Sequence, residues 1–190
     1  MGLISLVVGG AIDANKAIKQ NRAKNDVSKQ TVTVKNQYTI DVPSFLSPTN
    51  KLGEDASLQY WSKSLDITFQ VVDEPKSEFL ETVAELEKEI PGFGEGKSLL
   101  DKMSMITLPN MFDMDRTELG SYAERNINGL NAITLNAFQP RTFLKDAVYG
   151  SFAFIEGKNT LYQIIILSGG TSISKLADKL EESIMSFREL

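Results

Sequence analysis

The stretch Thr160-Leu161-Tyr162-Gln163-Ile164-Ile165-Ile166-Leu167 decides the fold. Its apolar residues occupy adjacent as well as alternate positions, and adjacent side chains of a strand point to opposite faces of a sheet. A strand apolar on both faces has to be covered on both, which predicts a central strand with a layer packed on each side. Immediately after it, Gly169-Gly170 breaks the run and Thr171 or Ser172 supplies the cap of an amphipathic helix. Ile173, Leu176, Leu180, Ile184 and Phe187 form the helix's apolar stripe, and Lys175, Asp178, Lys179, Glu181 and Glu182 face water. Immediately before it, Glu156-Gly157-Lys158-Asn159 makes a short hairpin with a strand within residues 142–155. Asn128-Gly129 is a turn signal ahead of another strand at 132–138. The back half therefore predicts an antiparallel meander closed by a helix.

The same reading extends towards the N-terminus. Val32 and Val34 alternate with threonines, and Tyr38, Ile40 and Val42 alternate again until Pro43 ends the run. Residues 44–56, with Pro48, Asn50 and Gly53, read as a loop. Strand character resumes at Leu58-Gln59-Tyr60-Trp61, then Leu65, Ile67, Phe69 and Val71 keep a period of two with Asp66, Thr68 and Gln70 on the other face. Pro75 opens a helix with Phe79, Leu80, Val83, Leu86 and Ile90 as its buried stripe and five glutamates outside, and Pro91-Gly92 stops it. A second, weaker helix spans 98–106, and residues 107–125 show no period that assigns an element. The order predicts an α+β fold: a three-layer α/β/α sandwich around a twisted, mainly antiparallel sheet.

Residues 1–30 differ in composition from the domain expected over 31–190. Ile4, Val7, Ala11, Ala14 and Ile18 recur at helical spacing despite Gly9-Gly10, while residues 21–30 are polar and read as a linker. This helical arm carries net charge +3 and the remaining residues −8, within a chain of net charge −5. An acidic chain of isoelectric point near 4.9 is not expected to bind nucleic acid, which needs clustered Lys and Arg to displace counterions. No apolar run approaches the ~18 residues of a membrane span, so any membrane contact would be peripheral, through the arm. The run over residues 3–12 resembles a signal-peptide core but has no basic start, and Leu6 breaks the myristoylation pattern. The expectation is a cytoplasmic protein, with an exported envelope protein as the alternative.

Three stretches carry a resemblance: Tyr38-Thr39-Ile40-Asp41-Val42-Pro43, the strand-into-helix segment from Leu65 to Pro75, and Leu161 to Leu167 followed by the closing Ile184-Met185-Ser186-Phe187. In spacing and order they resemble the superfamily of PsbP-like photosystem accessory proteins, Ran-binding nuclear import factors and bacterial DcrB-like proteins, over about residues 32–188. The resemblance implies the same sandwich. Members bind a GTPase, a photosystem or hydrophobic segments of secreted effectors, and they share no catalytic residues that could be carried over.

The 190 residues include no cysteine and no histidine. That removes disulfides, thiolate and imidazole metal sites, and Ser-His-Asp or Cys-His catalysis. Gly96-Lys97-Ser98 copies the end of a phosphate loop, but proline stands at position 91 where the first glycine belongs, and a helix rather than a strand precedes it. Asp113, Asp115 and Glu118 resemble a fragment of a calcium loop, with Glu118 where that loop needs glycine. Asp66 and Asp73 are the acids in apolar surroundings, and Ser62-Lys63-Ser64 lacks a supporting base. Tyr60, Trp61 and Phe69 read as core and hairpin cover. Met103, Met105, Met111 and Met114 crowd around Leu108, Pro109 and Phe112. Such a stretch either plugs the core or forms a pliable apolar surface.

These residues predict a non-enzymatic, chaperone-like accessory protein that holds an apolar segment of a protein partner and needs no cofactor or metal. The candidate partner-binding residues are Met103, Met105, Leu108, Met111, Phe112 and Met114, with Ile4, Val7 and Ala11 of the arm. A histidine-free hydrolase acting through two carboxylates is the catalytic rival.

Overall fold

The computed structural model describes residues 18–19, 21–23, 25–26, 28–142, 146–169 and 172–190. In chain order the elements are β1 (Lys29–Val34), β2 (Tyr38–Pro43), β3 (Ser47–Pro48), β4 (Ala56–Ser62), β5 (Ile67–Pro75), α1 (Lys76–Glu89) and α2 (Leu99–Met111). A 3₁₀ turn (Met114–Arg116) leads to β6 (Glu118–Ile127), β7 (Leu130–Gln139), β8 (Val148–Glu156), β9 (Thr160–Gly169), α3 (Ser172–Met185) and β10 (Arg188–Glu189). Seven strands form one antiparallel sheet in the order β3-β4-β5-β9-β8-β7-β6, so β9 is its middle strand.

The alternation along β9 separates two cores. Tyr162, Ile164 and Ile166 join Ile67, Phe69 and Val71 of β5 under Leu176, Leu180 and Ile184 of α3. Leu161 and Ile165 point the other way and join Phe152, Phe154, Ile133 and Leu135 under α1 and α2. The chain is thus the expected α/β/α sandwich.

One flank is not purely helical. The β1–β2 hairpin leaves the main sheet and pairs instead with β10, giving a three-stranded sheet beside α3. Tyr38, Ile40 and Val42 all face the core from β2, which is what a strand covering the sandwich from outside requires. Tyr38 stacks on Phe187 with centroids 5.1 Å apart, and Tyr162 sits 4.8 Å from the same ring. Each such pair contributes about 0.5–1.5 kcal/mol beyond the area it buries. Glu189 of β10 accepts the Tyr162 hydroxyl at 3.1 Å and the Lys158 amide at 2.9 Å, which ties the C-terminus to the β8–β9 hairpin.

Several local expectations change. Pro75 is the last residue of β5 rather than the first of α1, and the Lys76 amide donates to Asn159. Only Phe79 and Val83 of the α1 stripe are buried, while Leu80 and Ile90 are half-exposed at 51% and 50%. A narrow i, i+4 stripe is enough for a helix that meets the sheet along one line. Residues 107–111 complete α2, which runs through Pro109. Residues 118–127 form an edge strand with almost every side chain in solvent, so they carry no period of two. Asn128 and Gly129 take φ of 51° and 93° and close the β6–β7 hairpin, as their types favour. The Asn128 side chain also donates to the Met185 and Phe187 carbonyls, fastening that hairpin to the end of α3.

The segment expected to be a linker has structure. Residues 18, 19, 21–23 and 25 are helical, Ala23 is buried in the core under α3, and β1 begins at Lys29. Lys179 of α3 donates to the Asp26 carbonyl. Hydrogen bonds from the Ser28 and Ser44 hydroxyls hold the Asp26 carboxyl down at about 2, anchoring this segment to the end of β2.

Candidate functional site

α3 packs on β2 and β9, and the small sheet lies beside it, so the same face of β6, β7 and β8 is left open. A groove of about 480 Å³ runs there between that face and the outer side of α3. Strand register builds its floor. Phe138 of β7 and Tyr149 of β8 are direct partners and stack with centroids 4.4 Å apart. Asn136 and Ser151 form the next pair facing the groove, and Asn136 Nδ2 donates to Ser121 Oγ of β6 at 3.1 Å. Thr134 and Ala123 continue the floor. Ala177 is the exposed apolar residue of the helix wall, and the buried Leu180 and Ile184, at successive helical turns, close the groove behind it.

Charge sits at the rim. Arg125 of β6 lies 3.7 Å from Glu181 of α3, joining the two sides, and Glu118 lines the far end. The groove thus combines an aromatic pair, an apolar wall, small hydroxyl and amide groups that can satisfy a backbone, and opposite charges at the edge. That is the character of a docking surface for a chain segment. β6 bounds it as an edge strand with a bulge between Leu119 and Tyr122, which disrupts the free ladder.

The methionine-rich stretch divides. Met103, Leu108 and Phe112 are buried beneath α2 and out of a partner's reach, and Met111 packs partly against them. Met105 and Met114 are exposed, at 39% and 37%. The stretch therefore brings three of its six candidates into one core and leaves two in solvent on the face opposite the groove. Ile4, Val7 and Ala11 lie outside the described residues.

The loop ending in Gly96-Lys97-Ser98 has its helix end already filled. Ser98 caps α2, and the Asp101 carboxylate accepts the Ser98 amide at 3.1 Å and the Ser98 hydroxyl at 2.7 Å. It also accepts the Tyr122 hydroxyl from β6 at 2.7 Å. Burial works against its charge, but the Ser98 and Tyr122 hydrogen bonds outweigh it and hold Asp101 below the usual carboxylate range. A phosphate would meet this anion where a phosphate loop offers bare amides.

The remaining candidates are structural. Asp113 precedes the 3₁₀ turn, Asp115 lies within it and Glu118 opens β6, and among the described residues no three acids converge as metal ligands. Asp66 sits at φ 57° in the β4–β5 turn and its carbonyl accepts the Gly169 amide. Asp73 lies 3.8 Å from Lys35, with its other oxygen buried and lacking a hydrogen-bond partner among the described residues. The Ser62 and Ser64 hydroxyls face each other at 3.5 Å. Tyr60 and Phe69 are core, and Lys51 lies over Trp61 at 5.8 Å.

The groove escaped the sequence reading because its floor comes from polar-face positions of three strands, which look like ordinary solvated residues until the missing cover is seen. The signal available was the width of the sheet: four meander strands for a single closing helix.

This arrangement is the fold of the PsbP and Mog1 proteins. The solution structure of the cyanobacterial PsbP of Synechocystis is similar at 12% identity, with 86% of this chain and 93% of that one covered and a TM-score of 0.56. The crystal structure of the Saccharomyces cerevisiae Ran-binding protein Mog1p is similar at 12% identity, over 85% of this chain and 95% of that one, with a TM-score of 0.55. A Mog1 point mutant gives the same score over 96% of its length. No protein-family profile matches the chain, and no curated protein sequence does. Among the described residues no helix is long and apolar enough to cross a membrane.

Proposed function

We propose that this protein is a non-catalytic binding module that holds an apolar segment of a protein partner in the groove between α3 and the β6–β8 face. The observation that carries the reading is the groove itself: an apolar helix wall facing a stacked Phe138–Tyr149 pair, with hydrogen-bonding groups between them. Burying one Leu- or Phe-sized side chain there is worth about 1.5–3 kcal/mol, so the gross gain rises with each anchor while the cost of association is met once, which favours a segment with more than one anchor. The absence of histidine and cysteine from the sequence, and the ion pairing of Glu181 with Arg125, favour binding over acid–base or nucleophilic chemistry. The PsbP and Mog1 likeness agrees with a binding role, since Mog1p is a Ran-binding protein. The reading takes the cytoplasm as the compartment, with the envelope as the alternative.

The test is selection of peptides from a random displayed library against the intact chain and against Ala177→Arg, which puts a long cation on the exposed wall. Peptides with two or more spaced apolar anchors should be enriched on the wild type and lose about tenfold or more in affinity on the variant, the cost of displacing at least one anchor. Peptides that bind both proteins equally would place the site elsewhere. Mass spectrometry of the mature chain checks the compartment: a start at Met1 or Gly2 agrees with the cytoplasm, and a start beyond residue 11 with the envelope.

A further inference from the structure

A single row of side chains crosses one end of the groove. Glu118 of β6 is the register partner of Phe138 on β7, and Phe138 is the partner of Tyr149 on β8. Register partners of antiparallel strands share a face of the sheet, with Cβ atoms about 5 Å apart. The carboxylate and the two half-buried rings therefore stand side by side, and all three line the groove. The ring centroids are 4.4 Å apart with 29° between the planes. That separation is close to the spacing of neighbouring strands, so the rings stand upright and face each other along the row. Tyr149 covers one face of Phe138, and the other face is turned towards β6 and Glu118.

The charges of the groove are unequally matched. Among the described residues, the charged groups lining it are Glu118, Arg125 and Glu181. Arg125 and Glu181 satisfy each other at 3.7 Å. Arg125 is the register partner of Ala132, six residues along β7 from Phe138, so this pair lies about 20 Å from the aromatic row. Glu118 is exposed and has no ion-pair partner among the described residues, and Arg141, just beyond β7, pairs with Asp146 instead. What is left over is a carboxylate beside a ring face, and both attract a cation, since the face of an aromatic ring is its negative side. An apolar side chain would leave Glu118 unused, and an anion would be repelled by it. A guanidinium suits the slot best: its plane lies flat on a ring while its fork of N–H donors reaches the carboxylate, which a compact, strongly hydrated ammonium does less well. The chain's net charge of −5 adds attraction at longer range.

We infer that the partner segment carries an arginine, whose guanidinium enters between the Phe138 ring and the Glu118 carboxylate while the segment's apolar anchors lie against the α3 wall. The inference rests on the groove being the docking site for an apolar segment and adds the charge that orients it. The arginine fixes which end of the segment lies at Glu118, because the far end of the groove holds a cation of its own in Arg125. Apolar anchors alone would let a segment bind in either direction, so the charged contact supplies specificity more than it supplies affinity.

The test is the display selection run on the intact chain and on Glu118→Gln, which removes one charge from an exposed edge residue and leaves the wall and the rings in place. Peptides enriched on the wild type should carry an arginine beside their apolar anchors, and those enriched on the variant should keep the anchors and lose the arginine. One enriched peptide is then synthesised with both ends blocked, and again with citrulline for its arginine, which keeps the shape without the charge. The exchange should weaken binding to the wild type about tenfold and to Glu118→Gln less than about twofold. Lysine at that position should recover only part of the loss. Two pools with the same arginine content, a citrulline loss equal on both proteins, or a lysine peptide that binds as well as the arginine one would overturn the inference and leave the apolar groove standing. A wild-type chain that enriches no peptide over its Ala177→Arg variant would overturn the groove reading and this inference together.

Discussion

Arg125 on the edge strand β6 and Glu181 on the terminal helix α3 meet at 3.7 Å, the ion pair that joins the two sides of the groove. Both side chains are largely exposed, at 46% and 62%, so water and salt screen the pair. Its value to folding is accordingly small, about 0–1 kcal/mol. Arg125→Ala should lower the denaturation free energy by no more than that while changing the affinity of a groove-bound peptide and its salt dependence. A variant with lowered stability and unchanged peptide binding would show that the pair belongs to the core and not to the site.

The methionine stretch offers a contrast within one helix. Met103 is fully buried under α2 and Met105, two residues on, is 39% exposed. Met103→Ala should cost about 2–5 kcal/mol through lost burial and an unfilled cavity, and Met105→Ala no more than about 0.5 kcal/mol. Urea denaturation of the two variants decides it. Similar values would mean that α2 is rotated relative to the sheet.

Gly157 holds the hairpin to the C-terminus by having no side chain. A Cβ there would lie 2.7 Å from the Tyr162 ring and would collide with the Glu189 carboxylate. Gly157→Ala should destabilise by about 1–3 kcal/mol, as overpacking of a fitted site does. Glu189→Ala in the same background should recover part of the loss by removing the obstacle, which a double-mutant cycle reads directly.

Groups of opposite sign act at the two pH extremes, Tyr162 among those at the alkaline end and Asp101 among those at the acid end. Burial, and then the neighbouring Glu189 carboxylate, push the Tyr162 hydroxyl up to about 12 from an ordinary 10.0. The folded chain favours the neutral phenol, so this contribution is complete below pH 10 and is lost as the pH rises through about 12. Asp101 is held below its ordinary 3.8, so its contribution is present above that pH and is lost as the pH falls further. Denaturation free energies across pH should therefore fall at both ends, with Tyr162→Phe lessening the alkaline fall and Asp101→Asn lessening the acid one. An alkaline limb unchanged in Tyr162→Phe would contradict the assignment.

The fold was legible where burial imposed a period. Ile164 to Leu167 is apolar on both faces because β9 is the middle strand, and Leu176, Leu180 and Ile184 repeat at helical spacing because α3 covers one face of it. Illegible parts were those that burial does not mark. β6 is an exposed edge held by hydrogen bonds rather than by an apolar face, and α2 runs on through Pro109, whose missing amide signals a stop. β10 is two residues long and exists because β2 is there to pair with it, a contact that no local pattern announces. The site failed to show for a related reason. Asn136, Ser151 and Thr134 have the composition of a solvated sheet face, and only the register that sets them beside Phe138 and Tyr149 under an apolar helix makes them a groove.

The most direct test of the binding claim is backbone amide shift mapping of the isotope-labelled chain titrated with a peptide from the selection. Perturbations should gather on Ala123, Asn136, Ser151, Ala177 and Leu180, and leave the α1–α2 face unmoved. Shifts centred instead on Met105 and Met114, or spread evenly over both faces, would contradict a groove beside α3 and return the binding surface to the methionine stretch.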